Sequence, residues 1–105
     1  MAWHRIKIKV EYSKEFIKSV RKLSGKILES VRKTIQEVID APSIEYITNC
    51  KKLTNYKSVY RIRIGNYRVF FIFQVTNNVV IFEYLYSRGE AYSKKSKENL
   101  RRKDC

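Results

Sequence analysis

The chain has 105 residues, enough for one domain whose apolar core needs no disulfide or metal to hold it together. Hydrophobic residues make up 44% of the sequence, which argues against an intrinsically disordered protein. Against 10 acidic residues stand 23 lysines and arginines, and the net charge is +13. A charge this high favours an anionic partner, which could be nucleic acid, a membrane surface or an acidic protein.

Membrane binding is the weaker of these options, because no run approaches the roughly 20 apolar residues that span a bilayer. The N-terminus also lacks the apolar stretch of a signal peptide, so we expect a cytoplasmic protein. Cys50 and Cys105 match no metal-binding spacing and are expected to be free thiols. With no zinc motif and no phosphate-binding glycine loop, the sequence predicts neither a metal nor another cofactor.

The N-terminal half predicts one strand followed by two helices. Apolar and polar residues alternate from Trp3 to Val10, and His4 falls on the apolar side, where a structural role is favoured over a catalytic one. Ser13 is a candidate cap for the first helix, and Ser24-Gly25 separates it from a second helix that stops before Pro42. The short break predicts an antiparallel helical hairpin whose apolar stripes cover a sheet.

The stretch Tyr60–Tyr92 alternates apolar and polar residues and breaks at Gly65-Asn66 and Asn77-Asn78. This pattern predicts a three-stranded antiparallel meander. A two-residue turn at the first break places Arg63 directly opposite Arg68. The predicted fold class is therefore α+β, a two-layer sandwich of an N-terminal strand, a helical hairpin and a meander.

A two-residue turn at the second break would place Gln74 opposite Ile81 and Phe70 opposite Leu85. Because side chains alternate along a strand, this register sorts the meander into two faces. The core face is expected to carry Tyr60, Ile62, Ile64, Tyr67, Val69, Phe71, Phe73, Val75, Val80, Phe82, Tyr84 and Tyr86. The second face is expected to carry Arg61, Arg63, Arg68, Phe70, Ile72, Gln74, Glu83, Leu85 and Ser87.

Arg61, Arg63 and Arg68 thus cluster at one end of the second face, and Arg88 follows the last strand. Like charges directly opposite each other destabilise a sheet by a few tenths to about 1 kcal/mol per pair. Such a conflict is expected at a functional site, and the planar guanidinium group matches phosphate oxygens two at a time. The pattern favours anion binding over a solvated basic surface that a nearby glutamate partly neutralises.

The remaining segments flank the meander. Residues 41–57 are predicted to be irregular, with Leu53 as an apolar anchor and Lys51 and Lys52 on an electropositive rim. Residues 1–93 are expected to form the domain. Residues 94–105 are expected to be a basic tail, mobile or weakly helical, that contacts RNA or a partner. Its single apolar side chain, Leu100, could dock on the domain.

The chain resembles the RelE/ParE superfamily of bacterial toxins in the order of its elements and in two strings, KKLTNYKSVYRIRIGNYRVFF and YSRGEAYSK. The resemblance covers roughly residues 3–93. It implies a RelE-like fold and a toxin of a type II toxin–antitoxin system. Toxins of the RelE branch enter the ribosomal A site and cut mRNA, where a 2′-hydroxyl attacks the adjacent phosphate and leaves a cyclic or 3′ phosphate.

The resemblance also implies roles for matched residues. Arg61 and Arg63 stand at a basic pair of the first meander strand, and Arg68 matches the arginine that contacts the scissile phosphate. Arg88 matches the arginine that stabilises or protonates the leaving group, and Tyr92 matches a tyrosine that stacks on the mRNA base or helps activate the 2′-hydroxyl. Because arginine stays protonated, the arginines suit an electrostatic clamp. Tyr92, whose phenolate neighbouring arginines favour, is the candidate base.

The sequence departs from the family where Tyr86-Ser87 replace Gly-His, which disfavours a branch that uses this histidine in proton transfer. Glu90 is expected to pair with an arginine and orient it. The expected partners are a cognate antitoxin with an amphipathic, partly acidic segment, mRNA in the A site and ribosomal RNA. The candidate RNA contacts outside the arginine cluster are Lys51, Lys52, Lys94 and Lys95.

Two alternatives to an mRNA endoribonuclease stay open. Toxins of the ParE branch inhibit DNA gyrase and generally lack the full basic set, so the arginines favour RNA cleavage. The second alternative is a non-catalytic module that binds RNA or an antitoxin with the same basic face.

Overall fold

The computed structural model describes residues 8–104, which form a five-stranded sheet with a helical hairpin on one face and a third helix on the other. The strand order is β1-β5-β4-β3-β2, with β1 parallel to β5 and the other neighbours antiparallel. This confirms the predicted α+β class. In chain order the elements are β1 (Lys9–Tyr12), α1 (Lys14–Arg21), α2 (Gly25–Asp40), a 3-10 turn (Ile44–Tyr46), β2 (Cys50–Lys52), β3 (Val59–Ile64), β4 (Tyr67–Gln74), β5 (Val79–Ser87) and α3 (Lys94–Lys103).

The helical hairpin forms as predicted and packs on the core face. Ser13 caps α1, since its Oγ accepts a hydrogen bond from Phe16 N at 3.0 Å. Gly25 follows the break with φ +62°, in the left-handed region that favours glycine. Phe16 stacks on Phe82 of β5 with ring centroids 5.2 Å apart, so the hairpin and the sheet share one core. No helix among residues 8–104 is long and apolar enough to cross a bilayer.

Two strands differ from the prediction. β1 continues past Val10 to Tyr12 because it pairs in parallel with β5, where Tyr12 lies opposite Phe82. The start of the predicted strand, with Trp3 and His4, lies outside the described residues. The segment predicted to be irregular contains β2, whose three residues are too few to show an alternating pattern in the sequence.

The first hairpin of the meander has the predicted register, with Arg63 opposite Arg68 and Gly65 at φ +56° in the turn. The predicted register of the second hairpin is wrong. Gln74 lies opposite Val79 rather than Ile81, because residues 75–78 connect the strands as a four-residue loop.

A β-bulge then changes which side chains of β5 share a face. Phe71 lies opposite Phe82, but Phe70 lies opposite Tyr84, which leaves Glu83 as the extra residue. Beyond the bulge Tyr84 and Tyr86 therefore point to the second face and Leu85 to the core face, the reverse of the prediction. Val75, predicted in the core, lies in the loop and is 76% exposed.

The basic segment after Tyr92 forms a regular helix, α3, on the second face. Ser93 caps α3, and Leu100 docks on the sheet, where it is 2% exposed. Leu53 packs into the same cluster from the segment after β2. Leu100, which the sequence left able to dock, packs on the sheet, and the described part of the basic segment is a packed helix.

Polar contacts hold the C-terminal end of α3. Asp104 accepts hydrogen bonds from the backbone N of Lys57 and Ser58 and from Ser58 Oγ, at 2.8 to 2.9 Å. Burial opposes its charged form, but these three bonds outweigh burial and lower the pKa of Asp104. Lys103 Nζ lies 3.3 Å from the buried carboxylate of Glu83, the bulge residue. Burial disfavours the charged form of Lys103, yet the attraction of Glu83 outweighs burial and raises the pKa of Lys103.

Candidate active site

The second face of the sheet is divided into two halves. One half is apolar and lies under α3; we call it the apolar half. The other half is not covered by α3 and carries the arginines of β3 and β4; we call it the basic half. The apolar half is formed by Val59, Phe70, Ile72, Ile81 and Tyr84, which pack against Ala91 and Leu100. The basic half is formed by Lys51, Arg61, Arg63 and Arg68, with Tyr92 at its boundary.

Strand pairing places the basic side chains next to each other. Arg63 lies opposite Arg68, and Lys51 of the edge strand β2 lies opposite Arg61. Residues that face each other across antiparallel strands have Cβ atoms roughly 5 Å apart. Three strands thus bring four cations onto one surface, as the sequence predicts for its three arginines.

Arg68 is held by backbone carbonyls, and no carboxylate within residues 8–104 pairs with the arginines of the basic half. Arg68 Nη1 donates to the carbonyl oxygens of Gly65 and Tyr67, each at 2.9 Å. Neither ion pair formed among residues 8–104 involves an arginine of the basic half. The Nε atoms of Arg61 and Arg68 are buried and have no acceptor within the same residues. Because no carboxylate within residues 8–104 pairs with these guanidinium groups, their positive charge remains for an external anion.

Tyr92 is joined to the basic half through Arg61. Its Oη accepts a hydrogen bond from Arg61 Nη1 at 3.5 Å, and its ring meets Phe70 edge to face with centroids 6.3 Å apart. The side chain is still 48% exposed. Tyr92 therefore presents a hydroxyl and part of an aromatic ring at the boundary of the two halves.

The segment between β5 and Tyr92 is tied to the β3–β4 turn. Arg88 N donates to Asn66 O at 2.7 Å, which places Arg88 at the same end of the sheet as Arg63 and Arg68, with its side chain exposed. Glu90 accepts hydrogen bonds from Ser87, from N at 3.3 Å and from Oγ at 2.8 Å. The prediction that Glu90 pairs with an arginine is wrong for the described residues, because its carboxylate closes this turn instead.

The predicted lysine contacts lie in different places. Lys51 shares the face of Arg61, whereas Lys52 lies opposite Tyr60, and its Nζ donates to Tyr56 O at 2.8 Å. Lys94 and Lys95 are both exposed in the first turn of α3, just after Tyr92. Lys51 is thus the one lysine of the four that extends the arginine cluster directly.

The aromatic side chains beside the arginines were missed by the sequence prediction. Tyr86 lies opposite Arg68 and stacks on Tyr84 with ring centroids 5.2 Å apart. It also contacts Phe70 at 5.9 Å. Glu83, a charged residue within an apolar run, is the available sequence signal of the bulge that turns both tyrosines to this face.

Of the two cysteines predicted to be free thiols, Cys50 lies within the described residues. Cys50 is a free thiol, and burial raises its pKa to about 11, although Arg61 opposes that shift. Cys105 lies outside the described residues. Within residues 8–104, no group of three or more His, Cys, Asp or Glu side chains is arranged to hold a metal ion.

Comparison with known proteins shows the family. Residues 10–92 match the family described as the ParE toxin of the type II toxin–antitoxin system parDE. A relative named Toxin RelE3, from Methanocaldococcus jannaschii, is 30% identical over 86 residues, covering 81% of this chain and 96% of the relative.

Solved structures show the same fold. The RelB–RelE antitoxin–toxin complex from Methanococcus jannaschii superposes with a TM-score of 0.68 at 27% identity, over 78% of this chain and 94% of the matched chain. A free mutant of the Escherichia coli toxin RelE superposes with a TM-score of 0.71 at 21% identity, over 93% and 98% of the two chains. The chain belongs to the ParE toxin family within the RelE/ParE superfamily, and it is a RelE-like toxin of a type II toxin–antitoxin system.

Proposed function

We propose that this toxin is a ribosome-dependent mRNA endoribonuclease and that the basic half binds the scissile phosphate. One observation carries the proposal. Arg61, Arg63 and Arg68 lie on two adjacent strands without a carboxylate partner among residues 8–104, and Arg61 reaches the hydroxyl of Tyr92. Such a cluster of preorganised cations suits a reaction that concentrates negative charge on phosphate oxygens.

The proposed reaction is an internal transfer at phosphorus. The 2′-oxygen forms a bond to the adjacent phosphorus, and the bond from phosphorus to the 5′-oxygen breaks. The products are a 2′,3′-cyclic phosphate and a 5′-hydroxyl. Tyr92, in its phenolate form, takes the proton of the attacking hydroxyl. Arg88 stabilises the charge on the departing 5′-oxygen, which takes a proton from water. Arg61, Arg63 and Arg68 bind the nonbridging oxygens, on which the charge grows.

The same basic surface suits a ribosomal substrate and an acidic inhibitor. A net charge of +13 speeds association with RNA, and the proposed partners are mRNA in the A site and ribosomal RNA in the cytoplasm. The RelE of Methanococcus jannaschii was crystallised with RelB. For this chain we likewise propose a cognate antitoxin whose acidic segment blocks the arginines.

Expression of the toxin without an antitoxin tests the proposal. We expect growth arrest and mRNA cuts in codon register, detected by primer extension. An Arg68→Ala variant expressed to the same soluble level should not cut, whereas Lys33→Ala, an exposed position on α2, should cut like the parent. Normal growth at high soluble expression of the parent would contradict an active toxin.

Inhibition of DNA gyrase is the second candidate, because residues 10–92 match the family described as the ParE toxin. A supercoiling assay with purified gyrase separates the two functions. Blocked supercoiling together with uncut mRNA would replace the nuclease proposal. We expect supercoiling to proceed normally at toxin concentrations that cut mRNA.

A further inference from the structure

A groove between α3 and the segment that joins β2 to β3 leads away from Tyr92. Near Tyr92 it begins as a small cavity of about 140 Å³, lined by Leu53, Tyr56, Phe70 and Lys97 among others. It continues as a wider cavity of about 570 Å³ toward the C-terminal end of α3. Thr54, Asn55 and Tyr56 line both cavities, so the two are adjacent along one open surface groove.

The walls of this groove are basic on both sides. Positions 94, 97 and 101 follow one another along a single flank of α3, at the helical spacing of three and four residues. Seven residues of helix span about 10 Å, so Lys94, Lys97 and Arg101 form a row of that length starting beside Tyr92. Lys52 and Lys57 line the groove from the opposite side.

The groove also offers an aromatic surface and amide or hydroxyl groups. The Arg101 guanidinium lies 5.3 Å above the ring centroid of Tyr56 and covers one face of that ring. Thr54 and Asn55 supply donors and acceptors that suit a base or a ribose. Channels that bind single-stranded nucleic acid combine cations that follow the phosphate backbone with aromatic rings on which bases stack.

The acidic groups around the groove do not cancel this charge. Asp104 lines the groove, but its carboxylate already accepts hydrogen bonds from Lys57 N, Ser58 N and Ser58 Oγ. Glu98 is exposed one position beyond Lys97 and forms no ion pair within residues 8–104. Four cations, Lys52, Lys57, Lys97 and Arg101, therefore face one engaged carboxylate.

From these observations we infer that the groove binds the single-stranded RNA that flanks the cleaved phosphate. This inference rests on the proposed function, because the groove starts at Tyr92, where the cut is proposed. RNA leaving the basic half would pass Tyr92 and run along α3. Lys97 and Arg101 would contact its phosphates, and Thr54 and Asn55 would bind a base or a ribose.

The test compares two double variants that remove equal charge. One is Lys97→Ala with Arg101→Ala in the groove; the control is Arg32→Ala with Lys33→Ala on the exposed face of α2. The probe is fluorescent single-stranded RNA with 2′-O-methyl ribose, which offers no attacking hydroxyl. Its affinity is measured by anisotropy across a salt series, without ribosomes, for lengths of about 4 and about 10 nucleotides, a span chosen to match typical single-strand site sizes.

We expect the groove variant to lower the slope of log affinity against log salt by about 1.4, as loss of two phosphate contacts on a single strand predicts. The parent should gain affinity from the longer probe, and the groove variant should lose most of that gain while the control keeps it. Equal changes in both variants would overturn the inference. Unchanged RNA affinity with weakened antitoxin binding would also overturn it and assign the groove to an acidic peptide.

Failure of the proposed nuclease gives a different result. If the parent does not cut ribosomal mRNA but the groove still determines affinity for the longer probe, the groove stands as an RNA site and the nuclease proposal falls. If the parent cuts mRNA and the groove variant binds the long probe as the control does, the groove inference alone falls.

Discussion

The apolar half and the basic half of the second face lie on the same strands, yet α3 covers only one of them. In the apolar half Phe70 lies opposite Tyr84, and both are buried under α3. Two residues along β4, Arg68 lies opposite Arg63 of β3, and Arg63 is exposed. Burying unpaired arginines costs several kcal/mol per ion. α3 therefore covers the sheet only up to the arginines, and the basic half stays open to an external anion.

The largest expected effect belongs to the boundary of the two halves. Tyr92→Phe keeps the ring that contacts Phe70 and removes only the hydroxyl that accepts from Arg61. If this hydroxyl transfers the proton, cleavage of ribosome-bound mRNA should slow by about 100-fold or more. Single-turnover rates measure the effect, and affinity for the ribosome should stay within about twofold, as removal of a proton-transfer group alone predicts. An unchanged rate would assign proton transfer to another group.

Removal of Leu100 tests the covered half. Leu100→Ala leaves a cavity between α3 and the sheet and should lower the free energy of unfolding by about 2–4 kcal/mol. Urea unfolding measures this change. Lys95→Ala, an exposed position on the same helix, should alter stability by less than about 0.5 kcal/mol. A Leu100→Ala variant as stable as Lys95→Ala would mean that α3 does not stabilise the apolar half.

Asp104 should make the attachment of α3 dependent on pH. Its pKa in the folded state is lowered, so its stabilising contribution is fully present above the ordinary aspartate pKa of about 4 and is lost as pH falls through the folded-state pKa. Asp104→Asn should cost about 1 kcal/mol at pH 7. The difference in unfolding free energy between parent and variant should shrink toward zero in acid. A difference that grows as pH falls would contradict this assignment.

The smallest expected effect concerns stability in the basic half. Arg63→Thr removes the like-charge pair with Arg68 and should raise the free energy of unfolding by a few tenths to about 1 kcal/mol, while cleavage falls. Arg63→Lys keeps the charge and serves as the control, for which no gain is expected. A destabilised Arg63→Thr protein would show that the pair is not in conflict.

Much of the fold could be predicted from local pattern. The register of the first hairpin follows from a two-residue turn with a glycine in the left-handed region, so the opposition of Arg63 and Arg68 was predictable. The helical hairpin likewise follows from its cap at Ser13 and the break at Ser24-Gly25.

The features that were not predicted depend on contacts between distant segments. The bulge residue Glu83 forms an ion pair with Lys103, which lies twenty residues later in the sequence. Lys103 belongs to α3, the helix that also covers the neighbouring tyrosines. β2 forms because it pairs with the edge of β3. Its three residues are too few to show an alternating pattern in the sequence. The arginines were therefore predictable as a cluster, whereas Tyr86 beside them and the groove along α3 were not.

The most direct measurement of the central claim is cleavage of mRNA bound to purified ribosomes by the parent, Arg68→Ala and Lys33→Ala proteins at equal concentration. The claim predicts that the parent and Lys33→Ala release fragments with a 2′,3′-cyclic or 3′ phosphate and a 5′-hydroxyl. Arg68→Ala should be slower by about 100-fold, as for the loss of one oxyanion-stabilising group. Cleavage by Arg68→Ala at the parent's rate would contradict the claim that the basic half binds the scissile phosphate.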